Sequence, residues 1–357
     1  PPGSGRSNAA KAFAAALQCV DHGCGQCNAC RTTLSGAHPD VTLVRTEALS
    51  IGVDEVRELV RRAAMNPVHG CHQVVVVEDA DRITERGADA LLKAIEEPAP
   101  KTVWLLCAPT PEDVIVTIRS RCRRLHLATP RDEAVADLLT RRDGIAPEVA
   151  AEAARAGQGH IGRARRLAWD EEARARRNAI GELPTRLRSL GDCLQAAEDL
   201  VNQASEEAAA ATAEVNAAER AELKKALGFG SSGARPRNAQ AALRDLEKQQ
   251  SARLKRLQRD ALDRVLTELT AYHRDVLAIQ TGAVRPEEEN ALRGARLVNA
   301  GWSASLHRIA DSQSPEHTVA TIDAILAARK SLEHGVTPLL VMETLLIAMT
   351  GVDRARW

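Results

Sequence analysis

Residues 74–77 read Val-Val-Val-Val, a continuous apolar run of the kind found in parallel strands covered on both faces. The run has company. Residues 41–44 and 103–108 are further β-prone stretches, and helical patterns lie around them. A helix over 11–20 would bury Ala12, Phe13, Ala16 and Leu17, and one over 52–65 would bury Val53, Val56, Leu59, Val60 and Ala63. A third, over 88–95, stops at Glu96-Glu97-Pro98. Strands alternating with helices predict a doubly wound α/β sheet, in which ligands bind beyond the strand ends. The 357 residues leave room for two or three domains, and aromatics at 2% favour packed helices for the remainder.

Polar chemistry gathers where such a sheet would place it. Pro1-Pro2-Gly3-Ser4-Gly5-Arg6-Ser7 reads as the tail of a phosphate-binding loop, G-x-x-x-x-G-K-[ST], with Arg6 in the lysine position. In a working loop the glycine amides cradle phosphates, lysine reaches the β/γ oxygens and the hydroxyl holds magnesium. A guanidinium is a longer planar fork that does not fit the place of a compact ammonium. The first glycine is missing, so an upstream strand is expected before Pro1. Either the fold lost its nucleotide chemistry, or Gly-Ser-Gly is an ordinary loop.

Glu78 and Asp79 follow the valine run, where a Walker B pair would hold magnesium and orient water, but in reversed order. The alternative for Asp79 and Asp81 is capping of the next turn. Thr117-Ile118-Arg119-Ser120-Arg121-Cys122-Arg123-Arg124 places four arginines within six residues. They form a solvated edge, or they present a guanidinium to a phosphate on a neighbouring subunit. Ser50, Ile51 and Gly52 open a helix whose amides either meet DNA phosphate or are simply capped.

Four of the eight cysteines, Cys19, Cys24, Cys27 and Cys30, fall within 12 residues. Two C-x-x-C steps suit a structural tetrahedral zinc site, with reduced free thiols as the alternative and His22 a spare ligand. Gly23, Gly25 and Asn28 suit tight turns between them. Lys+Arg and Asp+Glu balance at 48 each, which excludes a global basic field and restricts any DNA contact to a local one. With no apolar run of 18 residues and no signal pattern, a soluble cytoplasmic protein is expected.

Taken together, these motifs resemble the clamp-loader branch of the AAA+ ATPases. Ser120-Arg121-Cys122 matches the Ser-Arg-Cys motif of those subunits, and residues 90–98 match their A-L-L-K-x-x-E-E-P helix, with Asp89 where asparagine is usual. The cysteine module sits where bacterial clamp loaders carry zinc, although the Cys19–Cys24 spacing is short. The resemblance covers residues 1–124 in family order. Four positions depart from its ATP-hydrolysing tau/gamma members: Arg6, Glu78-Asp79, Cys107-Ala108-Pro109 in place of a threonine-bearing turn, and Gly162 where a lid arginine belongs. Arg163 and Arg165 lie on other helical faces.

The resemblance therefore implies a subunit without independent catalysis, belonging to bacterial DNA polymerase III at the replisome. Gly3, Gly5, Arg6, Ser7, Glu78 and Asp79 become vestiges of a nucleotide site. Arg121, flanked by Ser120 and Cys122, becomes an arginine finger for ATP on an adjacent tau/gamma subunit. Zinc is the structural cofactor. The implied partners are tau/gamma and delta subunits in a hetero-pentamer, the β sliding clamp, and primer-template DNA. The rival readings are an active tau/gamma-type ATPase and a zinc-bearing nucleic-acid-binding module outside any ring.

Beyond Thr129-Pro130 only helical signals appear. The expected division is a degenerate AAA+ domain over 1–128 with its zinc module at 19–30, a helical lid over 129–172, and a helical collar over 173–357. A long hairpin near 203–260 is expected within the collar. Its arms would be an Ala/Glu-rich stretch over 205–227 and a helix over 238–281 striped by Leu243, Leu246, Leu254, Leu257, Leu262, Leu266 and Leu269. Residues 228–236 interrupt the two arms. Two apolar helices follow over 320–332 and 338–350.

Overall fold

The fold was taken from a computed structural model that describes residues 3–46, 50–227, 239–284 and 297–350. Pro1 and Pro2 of the loop, and the Gly-rich interruption at 228–236, lie outside the described residues. The chain divides into two compact units, Pro1–Arg165 and Arg166–Trp357. The expected lid segment falls largely within the first of them.

The first unit is built on a parallel sheet in the order β1 (Val41–Val44), β2 (Gln73–Val77), β3 (Thr102–Leu106). Val74 to Val77 pair with Val41 to Val44 on one side and with Val103 to Leu106 on the other. All five residues of β2 are buried, as its unbroken apolar run requires. The strand period of two sorts its side chains onto the two faces. Val75 and Val77 pack with Val56, Leu59, Leu91 and Ile118 from α3 (Val53–Ala63), α4 (Glu85–Glu96) and α5 (Val116–Arg119). Val74 and Val76 pack with Ala14 of α1 (Arg6–Gln18).

Helix α1 starts five residues before the expected position. Gly5, at φ 79°, occupies its N-cap, and the polar first turn carries no apolar period to announce it. Helix α4 also starts early, because Thr84 caps it through the Gly87 amide. The short α2 (Asn28–Ser35) closes the cysteine module. Asp40 fixes the segment leading into β2: its carboxylate accepts from the amides of Val68, His69 and Gly70 at 2.7, 2.8 and 2.6 Å. Burial opposes its charge, but these three amides more than offset that and hold the carboxyl below the usual range. Two small helices, α6 (Asp132–Asp143) and α7 (Pro147–Gly157), and the start of α8 (Ile161–Trp169) complete the unit.

The second unit is wholly helical among its described residues: α9 (Glu171–Arg186), α10 (Leu190–Ala226), α11 (Ala239–Gln280), α12 (Ser303–Ser312), α13 (Pro315–Glu333) and α14 (Pro338–Thr350), with one short 3₁₀ turn at Ala300–Trp302. Its main core joins Cys193, Leu262, Leu266, Leu269, Ile325, Met342 and Leu345 from α10, α11, α13 and α14. Helices α10 and α11 continue beyond that core as paired arms, clamped by polar contacts. Arg253 bonds both oxygens of Glu219 at 2.8 and 3.1 Å, and Gln250 bonds Glu219 and the Asn216 carbonyl. Low in the bundle, Arg177 pairs with buried Glu268 at 3.2 Å and lies 4.4 Å from the centre of the Trp302 ring. No helix among the described residues is long and apolar enough to cross a membrane.

Candidate functional site

The four clustered cysteines converge. Their sulfurs all lie within 4.8 Å of one another, and Cys19 Sγ is 3.7 Å from both Cys24 Sγ and Cys27 Sγ. A tetrahedral site with Zn–S bonds of about 2.3 Å sets its sulfurs about 3.8 Å apart. The backbone serves the same end: the Cys27 amide donates to Cys24 Sγ at 3.3 Å and the Cys30 amide to Cys27 Sγ at 3.4 Å. Amides of Cys24 and Gly23 pull the Cys19 thiol down to about 6, while burial pushes the Cys30 thiol up to about 12. Four thiolates this close repel one another unless a cation lies between them. The donor set fits a metal ion. His22 is exposed and outside the sulfur group, which leaves the spare-ligand role empty.

The segment read in the sequence as the tail of a phosphate loop turns tightly into α1. Gly3 and Gly5 both hold φ at 79°, and the chain enters α1 with Arg6 and Ser7 in the first turn. A side chain on Gly3 would fall 2.3 Å from His160 Cα, so the turn before α8 is pressed against the loop. His160 is pushed below the usual imidazole range by burial and by the charges of Arg163 and Arg6, and its Nδ1 accepts from the Arg163 amide at 3.2 Å. At the end of β2, Glu78 is mostly buried and pairs with Lys11 of α1 at 2.8 Å. An internal ammonium thus engages the carboxylate that a Walker B site would turn to magnesium. Asp79 stands at the N-cap of the next turn, where its side chain makes no cap hydrogen bond, against the capping alternative. Burial raises the Asp81 carboxyl and the Cys107 thiol.

The arginine cluster separates by direction. Arg119 turns back to the Pro111 carbonyl at 3.2 Å and lies 3.9 Å from Glu112. Arg123 and Arg124 are exposed. Arg121 follows α5, whose Ile118 is rooted in the core beside Leu91. Its Nε donates to Glu96 Oε1, and its Nη1 donates to the Thr117 carbonyl at 2.9 Å and to Ser120 Oγ at 3.3 Å. Cys122 packs on the same core, and burial raises its thiol. In the segment expected to form a lid, Arg165 pairs with Asp143 at 3.0 Å, and a side chain on Gly162 would meet the His160 ring at 3.3 Å.

The turn at 50–52 is more occupied than expected. Ile51 is fully buried, bridges to Ile83, and its amide donates to the Arg82 carbonyl at 2.8 Å. Gly52, the N-cap of α3, has no side-chain cap. Of the three residues, Ser50 alone is exposed. The contacts of Lys11, Glu96 and His160 carry no sequence signal, because their partners lie 67, 25 and 157 positions away and no periodicity links such pairs.

Residues 1–131 match the family model described as DNA polymerase III, delta subunit. Over 147 residues it is 35% identical to DNA polymerase III subunit delta' of Haemophilus influenzae, covering 40% of this chain and 45% of that protein. The Escherichia coli delta' subunit is 34% identical over 155 residues, covering 43% and 46%. The gamma/tau subunit of Mycobacterium tuberculosis is 35% identical over 138 residues, covering 37% and 24%. The matched stretch spans less than half the length of each of these relatives.

Proposed function

We propose that the chain is a clamp-loader subunit of the delta' kind, which hydrolyses no ATP itself and supplies Arg121 to ATP bound on a neighbouring tau/gamma-type subunit. One observation carries this reading. At the end of β2, Glu78 is paired with Lys11, and the Gly3 backbone lies against His160, while Arg121 stands exposed beside a packed core. Similarity alone does not choose between the types, since delta' and gamma/tau relatives match at comparable identity. The departures at Arg6 and Glu78-Asp79 favour the delta' kind.

In phosphoryl transfer, charge spreads over the γ-phosphoryl oxygens, and a guanidinium supplied in trans is worth roughly 10³ to 10⁵ in rate. Arg121 would act in that way, with Ser120 and Cys122 shaping its turn. Zinc on Cys19, Cys24, Cys27 and Cys30 would fix the module structurally, since four protein ligands leave no open position for chemistry. Residues 129–172 would serve as lid and 173–357 as the collar that joins tau/gamma and delta subunits into a ring. That ring would place the β sliding clamp on primed DNA. ATP turnover by the purified chain is the direct test: none is expected, and turnover dependent on Arg6 or Glu78 would establish the active-ATPase reading instead.

A further inference from the structure

We infer that Glu96 is the positioning residue for Arg121: it clamps one edge of the guanidinium so that the opposite edge is presented outward. This rests on the trans-arginine reading above and deepens it. Guanidinium carries five N–H donors in a fixed plane. Glu96 takes Nε, while the Thr117 carbonyl and Ser120 Oγ take Nη1. Nη2 makes no hydrogen bond among the described residues, so that nitrogen is the one the clamp leaves for a phosphate oxygen.

Both ends of the clamp are anchored. Glu96 is the last residue of α4 and Arg121 lies two residues past the end of α5, and the two helices share a core through Leu91 and Ile118, each 1% exposed. The ion pair itself is open to water, with side-chain exposures of 38% for Arg121 and 43% for Glu96. An exposed pair adds little to stability, so its consequence lies in orientation. An unclamped arginine samples many rotamers, and a displacement of about 1 Å at a reacting centre costs up to roughly 10²-fold in rate.

The sign of the effect separates positioning from simple electrostatics. Removing Glu96 removes a negative charge beside the arginine, and on charge alone it would speed hydrolysis of a bound phosphate. Positioning demands the reverse.

The test uses the whole assembly with its tau/gamma-type ATPase partners, comparing ATP hydrolysis for wild type, Glu96→Ala, Glu96→Gln, Arg121→Ala and the Glu96→Ala/Arg121→Ala pair. Glu96→Ala is expected to lower kcat by about three- to tenfold with KM little changed. Glu96→Gln keeps the acceptor oxygen and should stay within about twofold of wild type. The double variant should be no slower than Arg121→Ala, because Glu96 acts only through that arginine. The melting temperature of Glu96→Ala should remain within about 2 °C.

Wild-type or faster hydrolysis by Glu96→Ala, while Arg121→Ala is slow, overturns the clamp and leaves the trans-arginine reading standing. An equal further loss in the double variant also overturns it. Unaffected hydrolysis by Arg121→Ala sinks both.

Discussion

His273 shows how a single side chain sets a pH limit on the second unit. It is 2% exposed on α11, and neither ring nitrogen has a hydrogen-bond partner among the described residues. Burial first, and the charge of His317 second, bring it down from its usual range to about 4. Above about pH 6.5 the ring is neutral in both the folded and unfolded chain. Between there and pH 4 the unfolded chain binds a proton that the folded one refuses, so stability falls as pH drops, then levels off. The loss is on the order of 3 kcal/mol. Chemical denaturation at pH 7 and pH 4.5 measures it, and His273→Phe should lose markedly less stability across that interval. A variant as acid-sensitive as wild type would place the titrating group elsewhere.

At the scale of elements, close approach and metal binding impose the tightest demands. Gly181 of α9 lies under the Trp302 ring, and an added Cβ would meet ring atoms at 2.6 Å. The ring cannot retreat easily, because Arg177 stacks on it and also pairs with Glu268. Gly181→Ala should therefore destabilise the second unit by about 1–3 kcal/mol, despite the better helix propensity of alanine. A neutral or stabilising result in thermal denaturation would contradict this packing. In the first unit, metal analysis of the purified protein should find one zinc per chain. Chelation should loosen residues 19–35 to proteolysis and release the tie between α1 and α2. Cys30→Ser should do the same without a chelator, and a protein lacking metal yet equally protected would refute the assignment.

Elements of this kind were legible in the chain to an uneven degree. Four adjacent valines announced β2, and the C-x-x-C steps announced the sulfur cluster, because both signals are local and periodic. The start of α1 was not legible: its first turn is capped by backbone geometry at Gly5, with no side-chain signal. Nor were the pairs Lys11–Glu78 and Glu96–Arg121, which the fold creates by bringing separate elements together. The proposal of a closed site and a presented arginine rests on those two pairs.

For the whole molecule, the account is one of divided labour. In the proposed reading, the first unit's parallel sheet carries a nucleotide site closed from within by the Lys11–Glu78 pair, and Arg121 is presented outward. The second unit is the proposed collar that would hold it beside its ATP-bearing neighbour. The decisive measurement is ATP hydrolysis at that neighbouring site in the reconstituted, DNA- and clamp-stimulated assembly carrying Arg121→Ala. The expected result is an intact assembly in which that site slows by roughly 10³-fold or more. An intact assembly that hydrolyses ATP there at the wild-type rate would contradict the central claim.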